Sequence, residues 1–121
     1  MPAFSRAHFE RIVQETLEDL PDRFQALLEN VAIVVEQEPD PDELLELGLD
    51  PDEDELFGVY QGISLLDRGA GHSGLPDRIV IYRGPLLRCF DSRDEIAEEI
   101  RRTVIHELGH HMGLSDDEMV F

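Results

Sequence analysis

The sequence contains no lysine, and Cys89 is its single cysteine. One cysteine cannot form a disulfide within the chain, which is typical of proteins from a reducing compartment. No segment approaches the roughly 20 consecutive apolar residues that a membrane-spanning helix needs. The N-terminal residues also lack the continuous apolar stretch of a signal peptide. We therefore expect a cytoplasmic protein without a membrane partner.

Positive charge is also scarce. The ten basic residues, all arginines, stand against 28 acidic residues, for a net charge of −18. A field of this sign repels phosphate backbones and anionic lipid surfaces. Nucleic acid is therefore not an expected partner, whereas cations and basic peptides would be attracted. Solubility alone is the simpler explanation of the charge.

The length of 121 residues suffices for one hydrophobic core, so we expect a single domain over residues 1–121. Apolar residues at helical spacing predict a first helix that Ser5 caps. A second helix is expected to begin at Pro21, because proline suits a first helical position. Its expected buried residues are Phe24, Leu27 and Leu28. The β-branched run VAIVV at 31–35 predicts a strand buried on both faces.

The middle of the chain predicts an acidic surface segment and two further strands. Residues 36–55 are acidic and rich in proline, and we expect one or two helical turns there around Leu44. Residues 56–63 and 78–82 have the composition of strands. The glycines between these strands match G-x-G-x-x-G, but a proline and a strand follow them where a dinucleotide site needs a helix. This stretch is therefore interpreted as a loop.

A capped amphipathic helix is predicted near the C-terminus, after a short turn at LLRCF (86–90). Ser92 and Glu95 have the spacing of a capping box, and Gly113 is placed to end the helix in a left-handed conformation. The apolar residues of this helix recur four apart and predict its buried face: Ile96, Ile100, Val104 and Leu108.

The motif His106-Glu107-Leu108-Gly109-His110 lies on this helix. Histidines four residues apart project from one helical face, so both imidazoles can reach one zinc ion. Glu107 lies about 100° around the helix from His106, where it suits a general base acting on a metal-bound water better than a third ligand. The competing interpretation is two exposed histidines and a surface glutamate late in a helix.

A hydrolytic zinc site needs a third protein ligand and an open position for water. Gly113 allows the backbone to reverse, and Asp116 three residues later can return its carboxylate to the metal. Asp117 is the next choice for this ligand.

The pattern H-E-x-x-H-x-x-G-x-x-D resembles the metzincin signature, with Asp116 at the place of the third histidine. Together with LFGVYQG and DRIVIYRGPLL, it resembles a small bacterial family of minimal zincin-like metallopeptidases over about residues 56–119. The resemblance implies an α+β fold, in which a small mixed sheet packs against helices that include the metal-binding helix. It also implies Zn²⁺ as the cofactor, bound by His106, His110 and Asp116, with Glu107 as the catalytic base.

Hydrolysis of a peptide or protein substrate is the function that this resemblance implies. An extended peptide could add to the edge of a strand at 56–62. Four residues are candidate oxyanion donors, none of them assigned: Tyr60, His72, Tyr82 and Arg83. Two alternatives stay open, namely a metal-stabilised module that binds a peptide or protein without turnover, and a hydrolase of non-peptide amides. The sequence does not predict an oligomeric state.

Overall fold

The structure, a computed structural model, describes residues 4–61 and 77–111, with side chains up to residue 109. Five helices and three strands lie in these ranges. In chain order they are α1 (Arg6–Glu18), α2 (Asp22–Leu28), β1 (Val31–Glu36), α3 (Pro41–Glu46), β2 (Gly58–Gln61), β3 (Asp77–Tyr82), α4 (Arg83–Cys89) and α5 (Arg93–His111). Helices packed with a small sheet confirm the α+β class.

The strands form one mixed sheet in the order β1-β3-β2. β3 lies in the centre, parallel to β1 and antiparallel to β2. Its side chains from Ile79 to Tyr82 are buried on both faces of the sheet, whereas β2 lies at an edge. The predicted strand at 56–63 is thus confirmed in position, although the described strand covers only Gly58–Gln61.

The hydrophobic core lies between this sheet and the helices. α1 contributes Phe9 and Ile12, β3 contributes Ile79 and Ile81, and α5 packs against α1, β2 and β3. The apolar face predicted for α5 is confirmed, since these four residues are fully buried: Ile96, Ile100, Val104 and Leu108. The helix that carries the motif is therefore fixed along most of its length by core contacts.

Ser5 caps the first helix as predicted, whereas the second helix begins at Asp22, one residue later than predicted. The Ser5 hydroxyl accepts a hydrogen bond from the main-chain N–H of His8 at 3.1 Å and so caps α1. Pro21 is the N-cap residue of α2 and lies just before the helix. Phe24 is fully buried, while Leu27 and Leu28 are only partly buried. α3 supplies the helical turn expected around Leu44, which is itself buried.

The burial predicted for residues 31–35 is wrong. β1 is an edge strand in which residues 31–34 are half-buried and Val35 alone is buried. The runs in β1 and β3 are both β-branched, so their composition does not distinguish a central from an edge strand. Pairing in the folded sheet makes that choice.

The turn predicted at LLRCF is also wrong, because the chain forms α4 there. Pro85 is the third residue of this helix, where its missing N–H would have had no intrahelical partner. The chain can therefore pass from β3 into α4 without an intervening loop. The predicted glycine-rich loop at 67–76 and the helix end at Gly113 lie outside the described residues.

No helix in the described part of the chain is long and apolar enough to cross a membrane.

Candidate metal centre

The motif occupies the last two turns of α5 in the described structure. The helix begins after Ser92, whose hydroxyl accepts a hydrogen bond from the main-chain N–H of Glu95 at 3.1 Å. The Glu95 carboxylate in turn accepts from that hydroxyl at 3.1 Å. The Ser92 half of the predicted capping box is therefore present, while Glu95 accepts from the Ser92 hydroxyl instead of from its main-chain N–H. With Val104 and Leu108 buried in the core, the intervening His106 is directed to the exposed side of the helix.

The structure describes part of the predicted site. His106 is exposed and Glu107 is half-buried. His110 lies on the same helix one turn after His106, and its backbone alone is described. Asp116 and the alternative ligand Asp117 lie outside the described residues. The positions of the two histidines on one continuous helix agree with the spacing argument, whereas the third ligand stays a prediction.

The Glu107 carboxylate is held by the edge strand of the sheet. Its Oε1 atom accepts a hydrogen bond of 2.9 Å from the main-chain N–H of Tyr60 in β2. The N–H of Tyr82 donates to the main-chain oxygen of Phe57 at 2.9 Å, so alternate residues of β2 face β3. The main-chain groups of Gly58 and Tyr60 therefore point away from β3.

Gly58 explains how β2 approaches the motif helix so closely. A Cβ atom at this position would lie 2.9 Å from Cγ2 of Thr103 in α5 and 2.9 Å from the main-chain oxygen of Val80. Only glycine fits between these two neighbours without displacing one of them. The absence of a side chain thus brings β2 against α5 and places the Tyr60 N–H within reach of Glu107.

A cavity of about 280 Å³ lies beside this contact. His106 and Glu107 line one side of it, Thr103 lies one helical turn earlier, and Leu56 and Gly58 supply the wall from the sheet. Pockets for whole small molecules measure roughly 300–1,000 Å³, so this one lies at the small end of that range.

Three of the four candidate oxyanion donors are described, and each has a structural partner. The Tyr60 hydroxyl donates to Asp77 at 2.7 Å. The Tyr82 hydroxyl is buried and donates to Glu43 at 3.1 Å. Arg83 donates to the main-chain oxygen of Phe4 and to Gln37. Their side chains therefore tie elements of the fold together, and His72 lies outside the described residues.

Sequence reasoning missed the contribution of Gly58 and of the Tyr60 main-chain amide. An isolated glycine inside a strand does signal a close backbone approach. The neighbour that it approaches, Thr103, lies 45 positions later in the chain and carries no signal of its own.

The predicted donor set of two histidines and a carboxylate is compatible with a zinc ion. Imidazole nitrogen is a usual zinc ligand, and a carboxylate can complete a three-ligand set with an open position. Among the side chains described, no group of three histidines, cysteines or carboxylates converges. Of the residues predicted for the centre, His106 and Glu107 are the two whose side chains the structure describes.

The model of the zincin-like metallopeptidase family matches residues 28–120. No curated protein matches the chain significantly. A conserved hypothetical protein from Thermus thermophilus has a similar structure, with a TM-score of 0.57 and 23% sequence identity over 90% of this chain and 94% of that one. At this identity the similarity concerns the fold alone.

Proposed function

The chain belongs to the zincin-like metallopeptidase family, and from this membership we propose that it is a zinc-dependent peptidase in which Glu107 is the general base. His106 and His110 would hold the metal, with Asp116 as the third protein ligand. The observation that carries the proposal is the hydrogen bond of 2.9 Å between the Tyr60 N–H and Glu107 Oε1. It supports a base held beside the first histidine by β2.

A bound zinc ion would lower the pKa of a coordinated water toward about 7 and polarise the carbonyl to be attacked. The protein's own contribution is to accept and return a proton. With Oε1 of Glu107 engaged by Tyr60, Oε2 of the same carboxylate is the atom that would take the proton of the attacking water. Glu107 would then pass that proton to the leaving amine.

Peptide recognition is proposed at the open edge of β2. Among the described strands, none pairs with β2 on the side away from β3. The outward-pointing main-chain groups of Gly58 can therefore pair with an extended peptide, next to the Tyr60 N–H that holds Glu107. Because Tyr60 also contacts Glu107, a peptide on this edge would lie beside the proposed base.

The second candidate is a metal-stabilised module that binds a peptide or protein without cleaving it. The Glu107 contact favours the peptidase, since a structural zinc site needs four protein ligands and no base beside an open position.

The decisive experiment compares the zinc-loaded parent with Glu107→Gln on a diverse peptide library. The glutamine can still accept from the Tyr60 N–H through its amide oxygen, so the contact with β2 is kept. We expect the variant to bind zinc like the parent and to lose hydrolysis. Binding of peptides by the parent with no cleavage anywhere in the library would favour the non-catalytic module, and cleavage of other amides alone would change the substrate class.

A further inference from the structure

We propose that two adjoining cavities form one acidic groove that leads away from His106 and Glu107 and binds basic side chains of the substrate. This inference rests on the proposed peptidase function for the ligand's position. It goes beyond that function in assigning a substrate preference. The groove is defined by the 280 Å³ cavity beside the motif and by a second cavity of about 320 Å³.

The two cavities meet at Glu55 and Leu56, which line both of them. Beyond this junction the second cavity is walled by prolines of the acidic segment and of α4, among them Pro39, Pro51 and Pro85. Rigid walls of this kind lose little conformational entropy when a ligand is bound. The acidic segment predicted only as a surface covering thus builds one end of the groove.

The direction of the groove indicates which part of a peptide would enter it. Antiparallel strand pairs outnumber parallel ones two- to threefold, so we take a peptide on the β2 edge to be antiparallel. Such a peptide runs opposite to β2, from Tyr60 toward Gly58 and then Leu56. If the cleaved bond lies beside Glu107, the residues that follow this bond point along the groove.

The charges lining the groove are predominantly negative. Its two cavities are lined by two arginines and by five carboxylates: Glu38, Asp54, Glu55, Glu99 and Glu107. Each arginine neutralises only part of this negative charge, because it is shared between two carboxylates. Arg88 is shared between Glu38 at 2.7 Å and Glu55 at 3.0 Å. Arg102 is shared between Glu99 at 3.2 Å and Glu98 at 3.8 Å.

A basic side chain matches both the charge and the surface of this groove. Its aliphatic stem can cover Leu56 while its cationic end stays among the carboxylates at the half-exposed rim, as long basic side chains do elsewhere. An acidic side chain at the same place would meet like charges, which costs affinity. The groove therefore selects arginine or lysine in the first two positions after the cleaved bond.

The test uses two synthetic ligands that need the metal and the groove but no turnover. Each begins with a hydroxamate, which binds zinc, followed by two residues that are both arginine in one ligand and both citrulline in the other. Citrulline has the shape of arginine without its charge. On the zinc-loaded parent we expect the arginine ligand to bind about tenfold more tightly at low salt, with a smaller ratio at high salt.

Three variants locate this preference in the groove. Glu55→Gln should lower the ratio of the two affinities about threefold, and Arg88→Gln should raise it, because each changes the local charge in the opposite sense. Glu18→Gln makes the same charge change as the first variant on an exposed residue that lines neither cavity, and it should leave the ratio unchanged. Affinity for the citrulline ligand reports whether each variant is folded.

The outcomes separate this inference from the proposed function. Equal binding of the two ligands by the parent would overturn the groove and leave the peptidase standing. An arginine preference without hydrolysis of any peptide would keep the groove and overturn the peptidase. Failure of the zinc-loaded parent to bind either ligand would overturn both.

Discussion

The carboxylate of Glu107 on α5 and the main-chain N–H of Tyr60 on β2 are joined by a hydrogen bond of 2.9 Å between residues 47 positions apart in the chain. Only the fold brings these groups together, because Tyr60 lies far outside the motif. The position of the proposed base thus depends on the packing of an edge strand against the motif helix.

Replacement of Glu107 by glutamine should separate metal binding from catalysis. We expect Glu107→Gln to lower kcat by about 10²–10⁴-fold, the usual contribution of a general base. Zinc content should match that of the parent, because the histidines are unchanged. Steady-state kinetics and elemental analysis of the same preparation measure both quantities.

The matched control is Glu98→Gln, which makes the same chemical change on an exposed residue of α5. Its kcat should remain within about twofold of the parent. A Glu107→Gln protein that hydrolyses peptides at the parental rate would rule out the assigned base.

Addition of one methyl group at Gly58 should disturb both stability and activity. The new Cβ would lie 2.9 Å from the Val80 main-chain oxygen, which cannot move without breaking the sheet. We expect Gly58→Ala to lower the free energy of unfolding by about 1–3 kcal/mol. It should also lower kcat, because β2 must move away from α5 and carry the Tyr60 N–H with it. Urea unfolding and kinetics at the same protein concentration provide the two values.

Gly48→Ala is the control for this variant. Gly48 has a φ of 80°, and a Cβ there would contact nothing within 4 Å. The left-handed backbone makes alanine cost about 1 kcal/mol, but at a turn that lines neither cavity. Its kcat should therefore equal that of the parent. If Gly48→Ala lost as much kcat as Gly58→Ala, the effect of Gly58→Ala would be due to general destabilisation.

The third metal ligand can be assigned by zinc affinity. We expect Asp116→Ala to weaken zinc binding by at least about tenfold, since even residues that only support a ligand commonly cost 10–100-fold. Asp117→Ala should change affinity by less than about twofold. Competition with a chromogenic chelator measures both. The reverse order of the two effects would assign the ligand to Asp117.

A further prediction concerns Tyr82, whose buried hydroxyl donates to Glu43 at 3.1 Å. Tyr82→Phe should lower the free energy of unfolding at pH 7 by about 0.5–1.5 kcal/mol, the usual net value of such a bond. Burial, together with the neighbouring Glu43, raises the pKa of Tyr82 above its ordinary value of 10.0.

The raised pKa of Tyr82 also determines whether the free energy of unfolding rises or falls with pH. The folded protein holds the phenolic proton more tightly than the unfolded chain does. The contribution of the Tyr82 hydroxyl to the free energy of unfolding is therefore constant below about pH 10 and is lost as the pH rises above that value. The parent should therefore lose stability faster than Tyr82→Phe between about pH 10 and 11. Urea unfolding across this range provides the comparison. Parallel curves would contradict the assigned cause of the shift.

The sequence predicts the parts of the fold that depend on local spacing. The cap at Ser92 follows from its spacing to Glu95, and the buried face that includes Ile100 and Val104 follows from periodicity. Both are confirmed. The strand order does not follow, because VAIVV and RIVIY are both rich in β-branched residues. The placement of VAIVV at an edge results from pairing between distant segments.

The candidate site, too, could be predicted from the sequence only where it depends on local spacing. Four-residue spacing on a helix predicts that His106 and His110 share a face, whatever surrounds them. The Tyr60 amide and the wall at Leu56 belong to β2 and to the segment before it, so no local pattern at the motif could indicate them. The helix α4, predicted as a turn, shows the same limit, since Gly84 and Pro85 look like turn residues until their place in the first helical turn is known.

The buried face of α5 has a consequence for how the protein could respond to metal supply. The described core is built from apolar side chains and includes none of the proposed ligands. In small domains that fold around zinc, removal of the ion unfolds the chain. Here the metal-free chain should stay folded with its motif helix intact, so that activity could be withdrawn by chelation and restored by zinc without a cycle of refolding.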